Sequence, residues 1–311
     1  GNSIQPLQYG GQKRVGVTFF ERSDMPREMI EYMNEFDLIL TGSNWNQEIL
    51  NASGVNNSRL VHQGVDLSRF NPIPVPRLLK RDFIIFAGGK LEARKGQDIV
   101  VKAFKNFLKY CPDALLIACW ANIGNIGINT MNRSEYIKQN PRAGTAIEIQ
   151  SWLVSEGIPE DNMIVPSAMT NNQLPSLIKQ ADTAVFMSRC EGGTNLMAME
   201  TLACGIPTLL SENTGHLDLL NTNIKHAIGI KQMSRKLVNK NITEVYGGDK
   251  KNIWGESDPD ALVEALWNQW KNKEACRNFA KESANDLQKW SWDSSMEKLI
   301  AELKEREILS I

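Results

Sequence analysis

Short apolar runs alternate with amphipathic, helix-periodic segments along most of the chain. The alternation predicts parallel β-strands connected by α-helices, which is the pattern of an α/β fold. Because its residues are mostly apolar, we expect the first strand to be buried. The predicted strands lie at residues 14–20, 37–42, 59–64, 82–88, 114–119, 163–166, 184–187 and 208–211.

Helix signals separate these apolar runs. Pro26 is typical of the first turn of a helix, and Ser43 or Asn44 is expected to cap the next one. The remaining helices are expected after Gly96, at 145–156, after a capping box at Thr170 and Gln173, after Ser257, and up to Glu305. Residues 121–144 and 232–256 are polar and glycine-containing, so we expect exposed loops there, and we interpret the first as a lid over a cleft.

A proline-rich segment interrupts the alternation between residues 72 and 81. It has no consistent hydrophobic period, and each proline disfavours helical geometry in the residue before it. The segment therefore predicts a linker between two domains.

Residues 183–212 carry the strongest chemical signal in the chain. An apolar run ends in a small polar loop, which leads into an amphipathic helix that stops at Gly205. Asn195 is expected to cap this helix, whose free N–H groups and positive dipole end suit a phosphate or diphosphate. Glu191 and Glu200 flank that position, and carboxylates fit the hydroxyl groups of a sugar or ribose better than the anion.

Two lysines follow the strand at 82–88. Gly89 lets the backbone turn tightly, and Lys90 and Lys95 then lie near the carboxyl edge of the sheet, where ligands of α/β folds bind. Two ammonium groups there can neutralise a departing diphosphate. Surface lysines at a helix start are the simpler alternative, as a helix cap with two surface glutamates is for the 183–212 stretch.

Both stretches resemble the retaining glycosyltransferases of family 4, which have the GT-B fold. Glu200-Thr-Leu-Ala-Cys-Gly205-Ile-Pro matches the second half of the family's donor-binding signature, although eight residues instead of seven separate Glu191 from Glu200. The segment from Gly89 to Gly96 matches the pattern Gly-Arg-Leu-x-x-x-Lys-Gly, with Lys90 in the place of arginine. That exchange keeps the charge but loses the bidentate fork, so a weaker contact is expected.

The resemblance implies a complete Rossmann-like C-terminal donor domain and a partial N-terminal acceptor domain. It divides the chain into an acceptor-side part at 1–71, the linker at 72–81, the donor-binding domain at 82–289, and a C-terminal helix at 290–311 that crosses back to the first part. About one strand precedes Glu21, fewer than a complete acceptor domain of this fold has. Either more of the same polypeptide lies upstream, which we expect, or the acceptor domain is unusually small.

The implied activity is transfer of a sugar from a UDP- or GDP-linked donor to a glycan, lipid or protein acceptor, with retention of anomeric configuration. Lys90, Lys95 and Glu191 would be catalytic, the lysines on the diphosphate and Glu191 on the sugar hydroxyls, while Glu200 would hold the ribose. The base would lie against backbone at 165–168. The implied donor-binding residues are Gly89, Lys90, Lys95, Glu191, Gly193, Thr194, Asn195, Leu196 and Glu200. No cofactor and no metal ligand are expected.

Two other functions stay open. The irregular Glu191 spacing and the short acceptor side are also compatible with a nucleotide-sugar-binding module without turnover, or with the donor half of a larger or split enzyme. A non-hydrolysing epimerase of the same fold would need acids and histidines in its cleft, but the chain has three histidines, and we expect His216 to be a polar loop residue.

Composition narrows the possible partners. The formal net charge is −1, so no basic face favours nucleic acid. No apolar run approaches the roughly 20 residues of a membrane span, and the first residues lack a signal-peptide pattern. The five cysteines have no metal-ligand spacing, and we interpret them as core thiols. A cytoplasmic protein is the simplest expectation.

Overall fold

Three β-sheets organise the residues that this computed structural model describes, which are 12–122, 124, 126–237 and 253–309. They are a three-stranded sheet, a six-stranded sheet and a two-stranded ribbon. Every strand pair in the first two sheets is parallel, whereas the ribbon is antiparallel. The predicted α/β class is therefore confirmed.

The three-stranded sheet lies near the amino end of the chain. Its strands are β1 (Val15–Thr18), β2 (Leu38–Thr41) and β3 (Ser58–Leu60), in that spatial order. The helices α1 (Arg27–Met33) and α2 (Asn44–Ala52) connect them. Ser43 caps α2 by accepting a hydrogen bond from the Asn46 backbone, as expected of one of the two candidate caps.

The expectation of a buried first strand is wrong. Val15 is 38% exposed and Val17 is 67% exposed, whereas all four residues of β2 are buried. β1 is an edge strand, because among the described residues it pairs only with β2. Apolar composition alone does not distinguish an edge strand from a central one.

The six-stranded sheet supplies the main scaffold, with the spatial order β6-β5-β4-β7-β8-β9. The chain runs outward from β4 to β6 on one side and from β7 to β9 on the other, so the order reverses between β4 and β7. Its strands are β4 (Phe83–Gly89), β5 (Ala114–Trp120), β6 (Met163–Ile164), β7 (Thr183–Phe186), β8 (Thr208–Ser211) and β9 (Ala227–Ile230). In an α/β sheet, the crevice at such a reversal point is where ligands bind.

Helices cover both faces of this sheet and enclose two apolar cores. One core includes Phe104 and Phe107 of α3, and the other includes Met199 and Leu202 of α7. The helices in this part of the chain are α3 (Gln97–Phe107), α4 (Ile126–Asn129), α5 (Ala146–Ser155), α6 (Leu174–Ile178), α7 (Leu196–Ala203) and α8 (His216–Leu220). Short 3₁₀ turns lie at Ala93–Lys95, Thr130–Arg133 and Glu160–Asn162.

The two predicted exposed loops contain regular structure. Within 121–144, α4 and the following 3₁₀ turn bury Ile128 and Met131, so that segment is not wholly exposed. Within 232–256, β10 (Gln232–Leu237) pairs with β11 (Ile253–Ser257). The sequences of these two strands are mostly polar and lack a regular hydrophobic alternation, so they do not predict strands. Residues 238–252, including the glycine pair expected to mark the loop, lie outside the described residues.

The C-terminal segment returns to the three-stranded sheet. After α9 (Pro259–Lys271) and α10 (Lys273–Ser283), a 3₁₀ stretch at Ala284–Trp290 leads into α11 (Trp292–Glu305). The Val65 backbone N–H donates to the Trp290 carbonyl at 2.8 Å, and a parallel bridge joins Val65 to Ser291.

The two tryptophans of this segment have different environments. The segment's tryptophans would most simply be core residues, and Trp290 is buried, but Trp292 is 43% exposed and does not belong to the core. Among the helices of the described part of the chain, none is long and apolar enough to cross a bilayer.

Candidate functional site

The site lies where the carboxyl ends of β4 and β7 meet the start of α7. Gly88 at the end of β4 packs directly against the Met197 side chain, and a Cβ at position 88 would clash with the Met197 sulfur. Glycine therefore lets β4 approach the first turn of α7 closely. This contact brings the segment that follows β4 to the loop that follows β7.

Asn195 organises the start of α7. Its Oδ1 accepts from the Ala198 backbone at 3.4 Å, which confirms the predicted N-cap. Its two amide hydrogens point to the Glu191 carboxylate at 3.1 Å and to His216 Nε2 at 3.2 Å. Its φ of 66° lies in the left-handed region, which asparagine tolerates better than most residues. The Asn195 side chain thus caps the start of α7 and also holds the Glu191 carboxylate in place.

Glu191 is a buried carboxylate that accepts hydrogen bonds from several donors. The Lys95 ammonium lies 2.6 and 2.9 Å from its two oxygens, Ser188 Oγ donates at 2.6 Å, and a guanidinium nitrogen of Arg94 donates at 3.1 Å. Burial raises the pKa of Glu191, but the charges of Lys95 and Arg94 outweigh it and lower this pKa to about 2. Glu191 is therefore ionised near neutral pH.

Lys95 is held in place by the backbone around it. It ends the 3₁₀ turn at Ala93–Lys95, and the backbone N–H of Arg189 donates to the Arg94 carbonyl at 2.7 Å. The Arg189 guanidinium also donates to the Ala93 carbonyl at 2.6 Å. The Lys95 side chain is 16% exposed, so its ammonium borders the cleft although it is paired with Glu191.

Arg94 was not foreseen as a site residue. Its guanidinium contacts Glu191, donates to Glu92 Oε1 at 2.6 Å and to the Cys190 carbonyl at 2.8 Å, and lies 3.5 Å from Glu21 Oε1. The Arg94 side chain is only 9% exposed. The sequence shows merely an Arg-Lys pair, and nothing in it tells which of the two points inward.

His216 lies fully buried at the start of α8, so the expectation of a polar loop residue is wrong. Ser211 Oγ donates to the Ser188 carbonyl and therefore accepts from His216 Nδ1, at 2.9 Å. Nε2 is then free to accept from the Asn195 amide. Burial lowers the pKa of His216 to about 4, which agrees with a neutral ring.

Glu200 has a different environment from Glu191. It lies in the second turn of α7, it is partly buried, and its carboxylate has no hydrogen-bond partner among the residues that the structure describes. Burial raises the pKa of Glu200 to about 7. A half-buried carboxyl group of this kind is able to accept hydrogen bonds from hydroxyl groups of a ligand.

The other predicted site residues differ in position. Gly89 ends β4 with a φ of 119°, and open space lies where its Cβ would be. The Lys90 side chain is exposed, and its ammonium bonds to none of the described residues. Thr194 is buried, whereas Leu196 is 36% exposed. Lys95 and Asn195 thus both contact Glu191, while the Lys90 ammonium bonds to none of these three residues.

Loops of the three-stranded sheet form one wall of the site. Ser43 Oγ donates to the Gly192 carbonyl at 2.7 Å, and the Asn44 backbone N–H donates to Asp218 Oδ2 at 2.8 Å. The same Asp218 oxygen lies 2.7 Å from His62 Nε2. The Phe19 ring lies against Gly193. The loop between Glu191 and Asn195 therefore packs against the segments that follow β1 and β2.

Across the described ranges, no three His, Cys, Asp or Glu side chains cluster closely enough to hold a metal ion. All five cysteines are free thiols. Three of them, Cys111, Cys190 and Cys204, are buried as core thiols are expected to be, while Cys119 and Cys276 are partly exposed.

A family model matches the part of the chain that contains this loop. Residues 161–299 match the family described as Family 4 Glycosyltransferase in conflict systems. The resemblance to family 4 glycosyltransferases is confirmed over this region. The match includes Glu191, Asn195 and Glu200 but not Lys90 and Lys95. No curated protein matches the sequence.

Solved structures show the same fold over nearly the whole chain. Sucrose-phosphate synthase from Thermosynechococcus elongatus is 17% identical with a TM-score of 0.62, covering 89% of this chain and 61% of its own. Anabaena HepE in complex with UDP is 12% identical with a TM-score of 0.67, covering 94% of this chain and 72% of its own. TarM is 15% identical with a TM-score of 0.62, covering 93% of this chain and 50% of its own.

These similarities confirm the predicted GT-B-type fold, since each covers about nine tenths of this chain. At such identities they show the fold alone. This chain spans about three fifths of the sucrose-phosphate synthase and half of TarM.

Proposed function

We propose that the chain is a glycosyltransferase that moves a sugar from a nucleotide-sugar donor to an acceptor. The observation that carries this proposal is the contact of both Lys95 and Asn195 with Glu191 at the carboxyl edge of the parallel sheet. Glu200, whose carboxylate bonds to none of the residues that the structure describes, lies one turn further along α7. A cation, an N-terminal helix end and two carboxylates are the groups that a diphosphate joined to two sugars requires.

Each group has a distinct role in this proposal. Lys95 and the opening N–H groups of α7 stabilise the departing diphosphate, and Lys90 adds a second charge when its flexible side chain turns inward. Glu200 accepts from the ribose hydroxyls, and Glu191 accepts from the hydroxyls of the transferred sugar. Gly89, Gly193, Thr194 and Leu196 shape the donor pocket around them. Such contacts accelerate transfer when they strengthen as the glycosidic bond breaks.

We further propose that transfer proceeds with retention of anomeric configuration and without a metal ion, since Lys95 supplies positive charge beside the diphosphate position. The family 4 match favours this mechanism. UDP is the first donor nucleotide to test, because the similar HepE was crystallised with UDP and with UDP-glucose. GDP is the second, and the sugar and the acceptor follow from a panel.

The test measures binding of UDP and GDP by calorimetry and cleavage of UDP-glucose, UDP-N-acetylglucosamine and GDP-mannose by product analysis. Lys95→Met should weaken nucleotide binding at least about tenfold and nearly abolish cleavage, since one charge-assisted contact to phosphate is lost. Lys102→Met is the matched control, because Lys102 is exposed on α3 within the same segment and should behave as wild type.

Two results would contradict the proposal. Wild-type protein that binds neither nucleotide is not a nucleotide-sugar enzyme of this kind. Unchanged affinity in Lys95→Met would separate Lys95 from the diphosphate. Tight donor binding with no cleavage of any donor in the panel, with or without added glycan, would instead favour the alternative of a binding module or of a donor half that needs its missing part.

A further inference from the structure

Two cations share one buried carboxylate in the site. Glu191 contacts the Lys95 ammonium with both oxygens and the Arg94 guanidinium with one. His216 also lies near Glu191 but is neutral, as its hydrogen bonds require. The two cations differ in access, because Lys95 borders the cleft whereas the Arg94 side chain is enclosed.

Donor binding would reduce the positive charge next to the Glu191 carboxylate. If Lys95 turns toward a diphosphate, it contributes less to Glu191, whose side chain is only 5% exposed. A buried carboxylate without a cation is strongly disfavoured and takes up a proton instead. A protonated Glu191 would lose acceptor capacity for sugar hydroxyls.

Arg94 is fixed so that it cannot follow Lys95 to the ligand. Its guanidinium is held by the Glu92 carboxylate at 2.6 Å and by the Cys190 carbonyl at 2.8 Å. Glu21, from the loop after β1, lies 3.5 Å from it on the other side. These contacts come from three separate segments and keep the guanidinium beside Glu191 whatever Lys95 does.

We propose that Arg94 is a positioning residue that keeps Glu191 ionised and in place after Lys95 has moved to the donor diphosphate. This inference rests on the proposed function, because it requires an anionic ligand at Lys95. In this arrangement Lys95 serves the leaving group and Arg94 serves the carboxylate. The guanidinium acts through Glu191 and does not touch the substrate.

The test measures proton uptake when UDP binds, by calorimetry near pH 6 in buffers of different ionisation enthalpy. Wild-type protein sets the baseline, because Arg94 holds Glu191 ionised before and after binding. Arg94→Gln should take up about half a proton or more beyond that baseline, since Glu191 loses Lys95 with no cation left. In Arg94→Lys, proton uptake should lie between the values of Arg94→Gln and wild type, because lysine restores the positive charge without the forked contacts of a guanidinium.

Controls separate this role from folding. Arg94→Gln removes the contact between the Arg94 guanidinium and the buried Glu92 carboxylate. The double variant Glu92→Gln/Arg94→Gln, compared with Glu92→Gln alone, therefore provides a second background with the same expected proton uptake. Arg277→Gln is the matched control, because it removes a different partly buried arginine, one that contacts Asp182 at 2.8 Å. It should leave proton uptake at the wild-type value.

The two possible failures are distinguishable. If the Arg94 variants bind UDP and take up no more protons than wild type, the positioning role is overturned and the donor site stands. If wild-type protein binds neither UDP, GDP nor pyrophosphate, the proposed function fails and this inference fails with it.

Discussion

Glu191 and Glu200 show how much the environment of a residue decides its chemistry. Both belong to the same loop and helix, but burial with two cations lowers the pKa of Glu191 to about 2, while burial alone raises the pKa of Glu200 to about 7. Glu191 is consequently charged at all physiological pH values. Glu200 is half protonated near neutrality and gains a strong hydrogen-bonding role only when a ligand supplies donors.

Glu200→Gln should therefore stabilise the unliganded protein at alkaline pH. The pKa of Glu200 in the folded protein, about 7, exceeds the ordinary value of 4.5. The contribution of Glu200 to the free energy of unfolding is therefore fully present below pH 4.5 and is lost as pH rises through 7. Above pH 7 the variant should gain up to roughly 2–3 kcal/mol, and the gain should disappear near pH 4.5. Urea unfolding of wild type and Glu200→Gln at pH 5 and pH 8 measures how this gain depends on pH.

The exposed Glu264→Gln on α9 serves as the control and should show no such pH dependence. In parallel, Glu200→Gln should bind UDP more weakly than wild type at pH 8, because an amide accepts fewer hydrogen bonds from the ribose than a carboxylate. A large loss of stability in Glu200→Gln at either pH would show instead that the carboxyl group supports α7.

At the scale of elements, α7 depends on an unusual residue at its start. Asn195 has a left-handed φ and uses both ends of its side chain, the oxygen for the helix cap and the amide for Glu191 and His216. Glycine adopts this φ without cost, whereas alanine is strained by about 1–2 kcal/mol. Comparing alanine and glycine at position 195 thus separates the effect of backbone strain on stability from the effect of the lost side-chain contacts.

Asn195→Ala should lower the free energy of unfolding by about 2–3 kcal/mol, since it loses the cap and strains the backbone. Asn195→Gly should lower it by about 1 kcal/mol less, because only the side-chain contacts are lost. Urea unfolding of both variants gives the difference. Thr145→Ala is the control, because Thr145 caps α5 through one exposed hydrogen bond and should cost about 1 kcal/mol. Equal losses for the two Asn195 variants would exclude backbone strain.

Much of the element order could be predicted from the sequence. The strands of the six-stranded sheet are apolar runs bounded by glycine, proline or polar residues, and the caps at Ser43, Thr145, Asn195 and Asp258 follow from side-chain chemistry. β10 and β11 could not be predicted, because a two-stranded ribbon with polar side chains has no hydrophobic period. The exposure of β1 depends on which neighbour pairs with it, and that is a tertiary property.

The candidate site was predictable only in part for a related reason. Lys95, Glu191 and Asn195 lie in recognisable motifs, and the structure brings them into contact. Arg94 and His216 act through hydrogen bonds to residues nearly 100 and about 20 positions away, respectively. Sequence spacing carries no information about such contacts. The roles of Lys90 and Glu200 toward a ligand stay predictions that the binding experiments test.

At the scale of the whole molecule, the two parallel sheets meet at the loop that carries Glu191. Gly192 packs on the backbone of Phe20, and the Ser43 hydroxyl bonds to the Gly192 carbonyl. Arg94 contacts Glu21 within the same interface. Because these contacts lie beside the proposed sugar position, a change in how the sheets pack should alter the donor site directly.

Gly192→Ala tests this coupling. The φ of Gly192 is not left-handed, so the new methyl group acts only through space, but its Cβ would lie 2.6 Å from the Phe20 oxygen and 2.8 Å from the Phe20 nitrogen. Backbone atoms cannot rotate away, so the sheets must separate locally. We expect faster hydrogen exchange at 19–21 and 192–195, a loss of unfolding free energy of about 1–3 kcal/mol, and weaker donor binding.

A double-mutant cycle with Ser43→Ala gives the decisive comparison. Ser43→Ala removes the hydroxyl that bonds to the Gly192 carbonyl and also caps α2, so its cost in the wild-type background contains both contributions. If Gly192→Ala has already separated the sheets, the double variant should lose less than the sum of the single losses, by about 1 kcal/mol. Strict additivity, with unchanged hydrogen exchange at 19–21, would mean that the two sheets do not depend on this contact.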